Sequence, residues 1–293
     1  PTPLHQTHDR SLRTAKTSQR LQTGFCLMLR QGHQQGPTGL RIHQQLGLHP
    51  LQFRYSGQIF SGFGLGSVHT RSDMRRQGHA MQLCRAAMDS AAARGGRFGL
   101  LFTDIAPEYY ARLGFRLCTH EQFLCTELKP LRDSGSRSIL EPFEGLEYID
   151  FLSSCYQSRH ETCDLAIWRD RSEWLFLLES NPSLDFLRLR NPEGAVLGYA
   201  WIYRNAERLV PVEIVLFRPD PDAEAQALRA LAELALAHSI PKIRGWLPPP
   251  PELSAFFSVQ SRDKALPMVW VEPDSPIPVS VTSTVPIYSS VYF

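Results

Sequence analysis

Several familiar signals are missing from this chain. Its six cysteines (Cys26, Cys84, Cys118, Cys125, Cys155 and Cys163) contain no CxxC pair and keep no regular spacing. There is therefore no disulfide framework or zinc ribbon to read. Cys84, inside "MQLCRAAM", has the setting of a reduced, buried thiol. Cys118-x-His120-x4-Cys125 alternates like a strand and lacks a fourth ligand, so no metal is expected. No apolar run approaches the roughly 20 residues of a membrane span. With no secretory h-region either, a reducing cytoplasm is the expected compartment and a membrane is not an expected partner.

Neither sign of charge dominates: 31 Lys and Arg face 29 Asp and Glu, a net +2. Residues 1–58 hold seven of the cations and only Asp9 as an acid, so that segment is +6 and the remainder −4. A basic excess confined to one end is not a nucleic-acid-binding balance. Within that end, "HDRSLRTAKTSQR" is Arg- and Ser-rich and holds a single acid, which fits an organellar transit peptide or a disordered extension equally well. At the other end, residues 275–293 carry no charge and alternate Val with Ser or Thr. They read as one late strand or an unpacked tail.

What is present suits a soluble globular chain of 293 residues, 43% hydrophobic and 10% aromatic, long enough for two domains. Residues 1–50 show no clear period and are left as a poorly defined segment. From 51 the pattern reads strand, strand, helix, strand, helix, strand, strand as far as 130. The first two strands turn at Ser56-Gly57, and Gly62, Gly64 and Gly66 in the second suggest a bulge or a close backbone approach. Residues 131–145, rich in Pro, Ser, Gly and charge, read as a linker. Residues 146–272 give two helices, three strands, an Ala/Leu-rich helix and a further strand; 273–293 are the uncharged tail.

Sliding the chain by 144 residues pairs 66–113 with 210–257 without a gap. Val68 meets Val212, Arg85 meets Arg229, and Pro107-Glu108 meets Pro251-Glu252. The matching order of elements argues for two copies of one domain type. The copies part company where a strand hands over to the long helix. Arg75-Arg76-Gln77-Gly78-His79-Ala80 falls opposite Pro219-Asp220-Pro221-Asp222-Ala223-Glu224. Two cations and a glycine at a helix N-terminus suit a pyrophosphate. Three carboxylates and two prolines, which lack N–H groups, repel one.

Arg75-x-x-Gly78-x-Ala80 after a strand, followed by Tyr110-x-x-x-Gly114-Phe115, resembles the GCN5-related N-acetyltransferases (GNAT). The resemblance covers 60–128 well and 145–257 in outline. The tandem arrangement is similar to acetyltransferases of the enhanced-intracellular-survival type, without room for their sterol-carrier-like domain. It implies an α/β (mixed α+β) chain of two tandem domains, each a mostly antiparallel, centrally splayed sheet flanked by helices.

It further implies acetyl-CoA as acyl donor, no metal, and a primary amine on a small molecule or protein as acceptor; a homo-oligomer is compatible. Val68, His69 and Thr70 would pair with the pantetheine arm, and Arg75, Arg76, Gln77, Gly78, His79 and Ala80 would hold the pyrophosphate. Tyr110 would protonate the departing thiolate, and His69 is a candidate to deprotonate the amine, since residues 62–70 contain no glutamate. The carboxylate of Phe293 is another candidate base. The family's usual first strand and two helices are not recognisable in 1–50, so that segment is read as an incomplete acceptor side or as disordered. Acidic Glu213, Asp222 and Glu224 would favour a cationic acceptor. The alternative is a non-catalytic acetyl-CoA-binding or regulatory module.

Overall fold

The computed structural model describes residues 27–35, 39–118, 120–143, 148–161, 163 and 165–277, with side chains from 44 onward. The described residues form two seven-stranded sheets flanked by helices, a mixed α/β architecture.

The first sheet begins inside the segment without a readable period. β1 (Leu27–Gln35) pairs antiparallel with β2 (Gly39–Tyr55), which pairs in turn with β3 (Gln58–Thr70). Ser56 and Gly57 both adopt positive φ, 47° and 79°, the signature of a two-residue hairpin turn whose twist matches its strands. Gly62 lies where any side chain would collide with the Phe53 ring. α1 (His79–Ala92) then lays Leu83, Cys84, Ala87, Met88 and Ala91 on the sheet, spaced as one helical face. The chain returns in β4 (Phe98–Thr103), parallel to β3. The short helix α2 (Glu108–Ala111) and the two-residue strand β5 (Arg116–Leu117) follow.

The next strand leaves. β6 (Glu121–Cys125) joins the second sheet, between β12 (Ile243–Gly245) and β13 (Ser258–Ser261). In return β14 (Leu266–Val271) enters the first sheet between β4 and β5. Each sheet thus contains a strand from the other half of the chain.

The 131–145 stretch is partly built into the second sheet. α3 (Leu128–Asp133) precedes β7 (Ile139–Pro142), which pairs with β9 (Leu184–Arg190). α4 (Ile149–His160), β8 (Leu165–Trp168) and α5 (Arg171–Ser180) come next, and β8 pairs with β2 of the first sheet. β9, β10 (Val196–Arg204) and β11 (Leu209–Leu216) form an antiparallel meander. α6 (Pro221–Ala237) crosses to β12, parallel to β11. The reading of 275–293 lies mostly outside the described residues, as does Phe293.

Elements of the same type recur near the 144-residue offset. α1 begins at 79 and α6 at 221; β4 begins at 98 and β12 at 243; β6 begins at 121 and β14 at 266. Three cores hold the described residues together. One lies under α1, with Phe63, Leu65 and Leu101 from the first sheet. A second lies under α6. The third joins the copies, packing Leu51, Phe53, Phe98, Leu100 and Val269 of the first sheet against Trp174, Tyr199, Trp201, Val210 and Val212.

Candidate active site

β3 and β4 run side by side only from Gly62 to Leu65 and from Phe98 to Leu101. β3 continues to Thr70 with no partner on that side, so the parallel pair parts there. A bulge marks the place. Gln45 pairs with His69 and Gly47 with Gly66, which sets Ser67 and Val68 opposite Leu46 alone. Ser67 takes φ of 51°, and the bulge bends the strand. Beyond it, Val68 packs into the core under α1 while His69 is exposed. By the alternation of a strand, His69 faces the opposite side, toward the seam between the copies. Among the described residues no strand pairs with 68–70 on the β4 side, and that parted edge can take an extended ligand, as in strand addition.

The next residues form one helical turn (Ser72–Met74) and then the loop to α1. Arg75 Nε donates to Thr70 O at 3.2 Å, folding this side chain back onto the end of β3. Arg76 sits at φ 63°, a costly conformation for a residue with a Cβ. Gly78 is the N-cap of α1 at φ 77°, and no side chain caps the helix. A Cβ at Gly78 would meet nothing within 4 Å. Glycine is needed there for the backbone angle, and the space beyond is open. Arg76, Gln77 and Gly78 are exposed, His79 and Ala80 half-buried. His79 Nε2 lies 3.1 Å from Gln77 Oε1. Uncapped amides, the positive helix end and an exposed arginine fit a phosphate-bearing group.

Tyr110 lies in the core under α1, the same core that Val68 joins. It is 8% exposed and packs edge-on to Tyr109 and Phe115, with ring centroids 5.0 and 6.4 Å away. Burial, with smaller contributions from Cys84 and Tyr109, pushes its phenol well above its usual value, so it stays protonated. Burial likewise pushes the Cys84 thiol up to about 12, an inert packing group.

The structure brings Val68 and Tyr110 together and places His69 away from them. It separates the cysteines considered for metal. Cys118 belongs to the seam core and Cys125 to the core under α6, and no group of three metal-ligating side chains occurs among the described residues. Of the acids in the second half, Glu213 is paired with a cation. Glu213 accepts from Arg169 Nη1 at 2.9 Å and Tyr199 Oη at 3.0 Å. Asp222 takes Gln226 Nε2 at 2.9 Å, and Glu224 is half-buried. Glu213 therefore offers no free charge to a cationic acceptor.

Sequence reading missed what flanks β4. Asp104 Oδ1 accepts from the Ala265 amide at 2.8 Å, which ties the β13–β14 turn to the end of β4. Arg262 in that turn is 7% exposed and lies 4.7 Å over the Trp246 ring. "SRDK" reads as an ordinary charged turn, and no local signal marks its burial.

Residues 5–118 match the family model of the acetyltransferase (GNAT) domain. No curated protein matches the sequence. Among solved structures, the chain is similar to a GCN5-related N-acetyltransferase from Anabaena variabilis, with 14% identity and a TM-score of 0.64 over 83% of this chain and 62% of that one. A GCN5-related N-acetyltransferase from Kribbella flavida gives 16% identity and 0.60, over 83% and 59%. A probable N-acyltransferase from Enterococcus faecalis gives 14% and 0.60, over 84% and 62%. The chain thus spans about three fifths of the length of the structures it matches. Among the described residues, no helix is long and apolar enough to cross a membrane. The parted strands, the bulge and the uncapped helix all lie within the stretch that matches the GNAT acetyltransferase model, and the fold is that of the GCN5-related structures.

Proposed function

We propose that the chain is an acetyl-CoA-dependent N-acetyltransferase that acylates a primary amine by direct attack on the thioester. One observation carries this reading: β3 parts from β4 at a bulge and leads, through one helical turn and a short loop, to the uncapped N-terminus of α1. An acyl carrier with a long amide-bearing arm and a pyrophosphate matches both features in order. Val68, His69 and Thr70 pair with the arm through their backbones, and residues 75–80 take the pyrophosphate on main-chain amides and arginine charge. Arg75, bonded to Thr70 O, braces the loop, and Arg75 and Arg76 both expose their charge.

When bound, the thioester supplies an activated acetyl group. The amine nitrogen forms a bond to its carbonyl carbon, the C–S bond breaks, and the sulfur leaves as a thiolate. Tyr110 Oη donates its proton to that sulfur and regains one from solvent. Its raised pKa keeps it in the donor state throughout the physiological range. The attacking ammonium must first lose a proton, and His69, exposed on the seam side, is the candidate to take it through water. Placement of amine beside thioester supplies most of the acceleration. The second copy packs on that same face of the first sheet and walls the approach.

Isothermal titration with acetyl-CoA tests the donor assignment first. Gly78→Asp should weaken binding by about 100-fold, through backbone strain and a carboxylate beside the phosphate. Absent binding, or binding unchanged in this variant, would refute the cofactor site. Thiol release across a panel of amines then separates an enzyme from a binding module. Tyr110→Phe should lower kcat by about 10² or more with little change in acetyl-CoA affinity; an unaffected kcat removes Tyr110 from the chemistry.

A further inference from the structure

The β13–β14 turn holds a buried cation with no counter-ion among the described residues. Arg262 is 7% exposed, yet no carboxylate among the described residues forms an ion pair with it. Among the described residues its only side-chain hydrogen bond is from Nη2 to Ala265 O in its own turn. One guanidinium face is covered by Trp246, and the indole Nε1 of Trp246 is itself buried without a partner. Burial with no compensating charge pulls Arg262 down to about 10. A desolvated, unpaired arginine is costly. The other buried arginines are paired: Arg169 with Glu213 and Arg229 with Glu252.

The position of this cation is specific. Leu266 pairs with Thr103 and Ala265 N binds Asp104, so the turn abuts the C-terminal end of β4. β3 runs parallel to β4, so Val68–Thr70 lie at that same end of the sheet. β14 is two strand spacings from β3, about 10 Å before the strands part. Trp246 packs into the seam core, on the face toward which His69 turns. Arg262 therefore stands across the parted strands from the place where the amine must react.

On the reading of the chain as an N-acetyltransferase, we infer that its acceptor is an amino carboxylate, and that Arg262, held flat on Trp246, binds the acceptor's carboxylate while the amine reaches the thioester. A guanidinium presents parallel N–H donors that match a carboxylate. A site that desolvates such a donor discriminates strongly against analogues lacking the acceptor group. Glu213, one of the acids that would favour a polycation, is already spent on Arg169 and Tyr199.

The test is a binding panel read by ligand-observed NMR and by tryptophan fluorescence with acetyl-CoA present. It comprises α- and ω-amino acids, each paired with its decarboxylated amine. At least one amino acid should bind the wild-type protein at least tenfold more tightly than its partner amine, and Arg262→Gln should abolish that preference. A panel in which no amino acid binds, or in which the amines bind as well or better, overturns the assignment without any variant. So does a preference unchanged in folded Arg262→Gln. Acetyl-CoA titration of Arg262→Gln should match wild type. Loss of donor binding in the wild-type protein sinks the acetyltransferase reading instead, so the two failures are distinguishable.

Discussion

The two copies can be compared at two matched places. At the helix entry, α1 has Gly78 and no capping side chain, whereas α6 has Asp220, whose carboxylate accepts from the Asp222 and Ala223 amides. Pro221 follows at the first helical position, and Asp222 and Glu224 add charge. The second helix satisfies its own N-terminus; the first leaves its amides for something else. At the bulge, the residue just past it is His69 in one copy and Glu213 in the other, 144 apart. His69 pairs with Gln45 and is exposed. Glu213 pairs with Trp201 and is sealed by Arg169, whose guanidinium lies 4.2 and 4.9 Å over the Tyr156 and Trp174 rings. The same backbone scaffold is open in one half and internally plugged in the other. The protein's own groups fill in the second half the place that stands open in the first.

The comparison breaks most completely if the copies are separated. A fragment ending at 143 lacks β14, the strand between β4 and β5. We expect no cooperative unfolding transition from it by circular dichroism; a sharp transition would mean the halves are independent. Next in size is the plug. Arg169→Leu leaves Glu213 buried without its cation and should cost about 3–5 kcal/mol in urea unfolding. The double variant Arg169→Leu/Glu213→Leu should recover most of that loss. Third comes the cap of the second copy. Asp220→Ala should cost about 1 kcal/mol and create no acetyl-CoA binding by titration, because Asp222, Glu224 and Pro221 remain.

The remaining effect is on pH dependence. Burial lowers His160 to about 4, and its ring stacks on Tyr156 at 4.0 Å, bordering the plug. The unfolded imidazole, near 6.5, binds its proton first, so stability falls as pH drops from 6.5 toward 4. His160→Gln should flatten that part of the melting-temperature profile, removing up to about 2 kcal/mol of acid sensitivity. Burial also raises Glu173 to about 7. Between 4.5 and 7 its unfolded form has lost the proton that its folded form keeps, so it has the opposite slope and stability falls as pH rises. Glu173→Gln should therefore steepen the acid-side gain in stability with rising pH.

The legible parts of this molecule were those specified locally. Ser56-Gly57, the stripe of Leu83 to Ala91, and Gly78 at a helix entry carry their structural meaning in adjacent residues. The 144-residue offset was visible because α1 and α6 keep helical spacing and Pro-Glu recurs. β14 was missed, and β6 was read as a neighbour of β5, because "QFLCT" and "LPMVWV" hold no sign of which sheet takes them. Residues 27–50 were unreadable because Gln, His and Gly interrupt the alternation, although the backbone there pairs as β1 and β2. Arg262 was invisible for a related reason. Its burial depends on Trp246, a tertiary neighbour.

The exchange of β6 and β14 has a consequence for synthesis on the ribosome. β4 is made by residue 103, but the strand that hydrogen-bonds its free edge is not complete until residue 271. The first sheet must wait, with that edge unpaired, while some 170 further residues emerge, roughly 8–30 s at ordinary elongation rates. An unpaired edge is the template on which neighbouring chains add. This protein should accordingly lean on chaperones more than two independent domains of the same size would, and a pause in translation before residue 266 should raise its aggregated fraction.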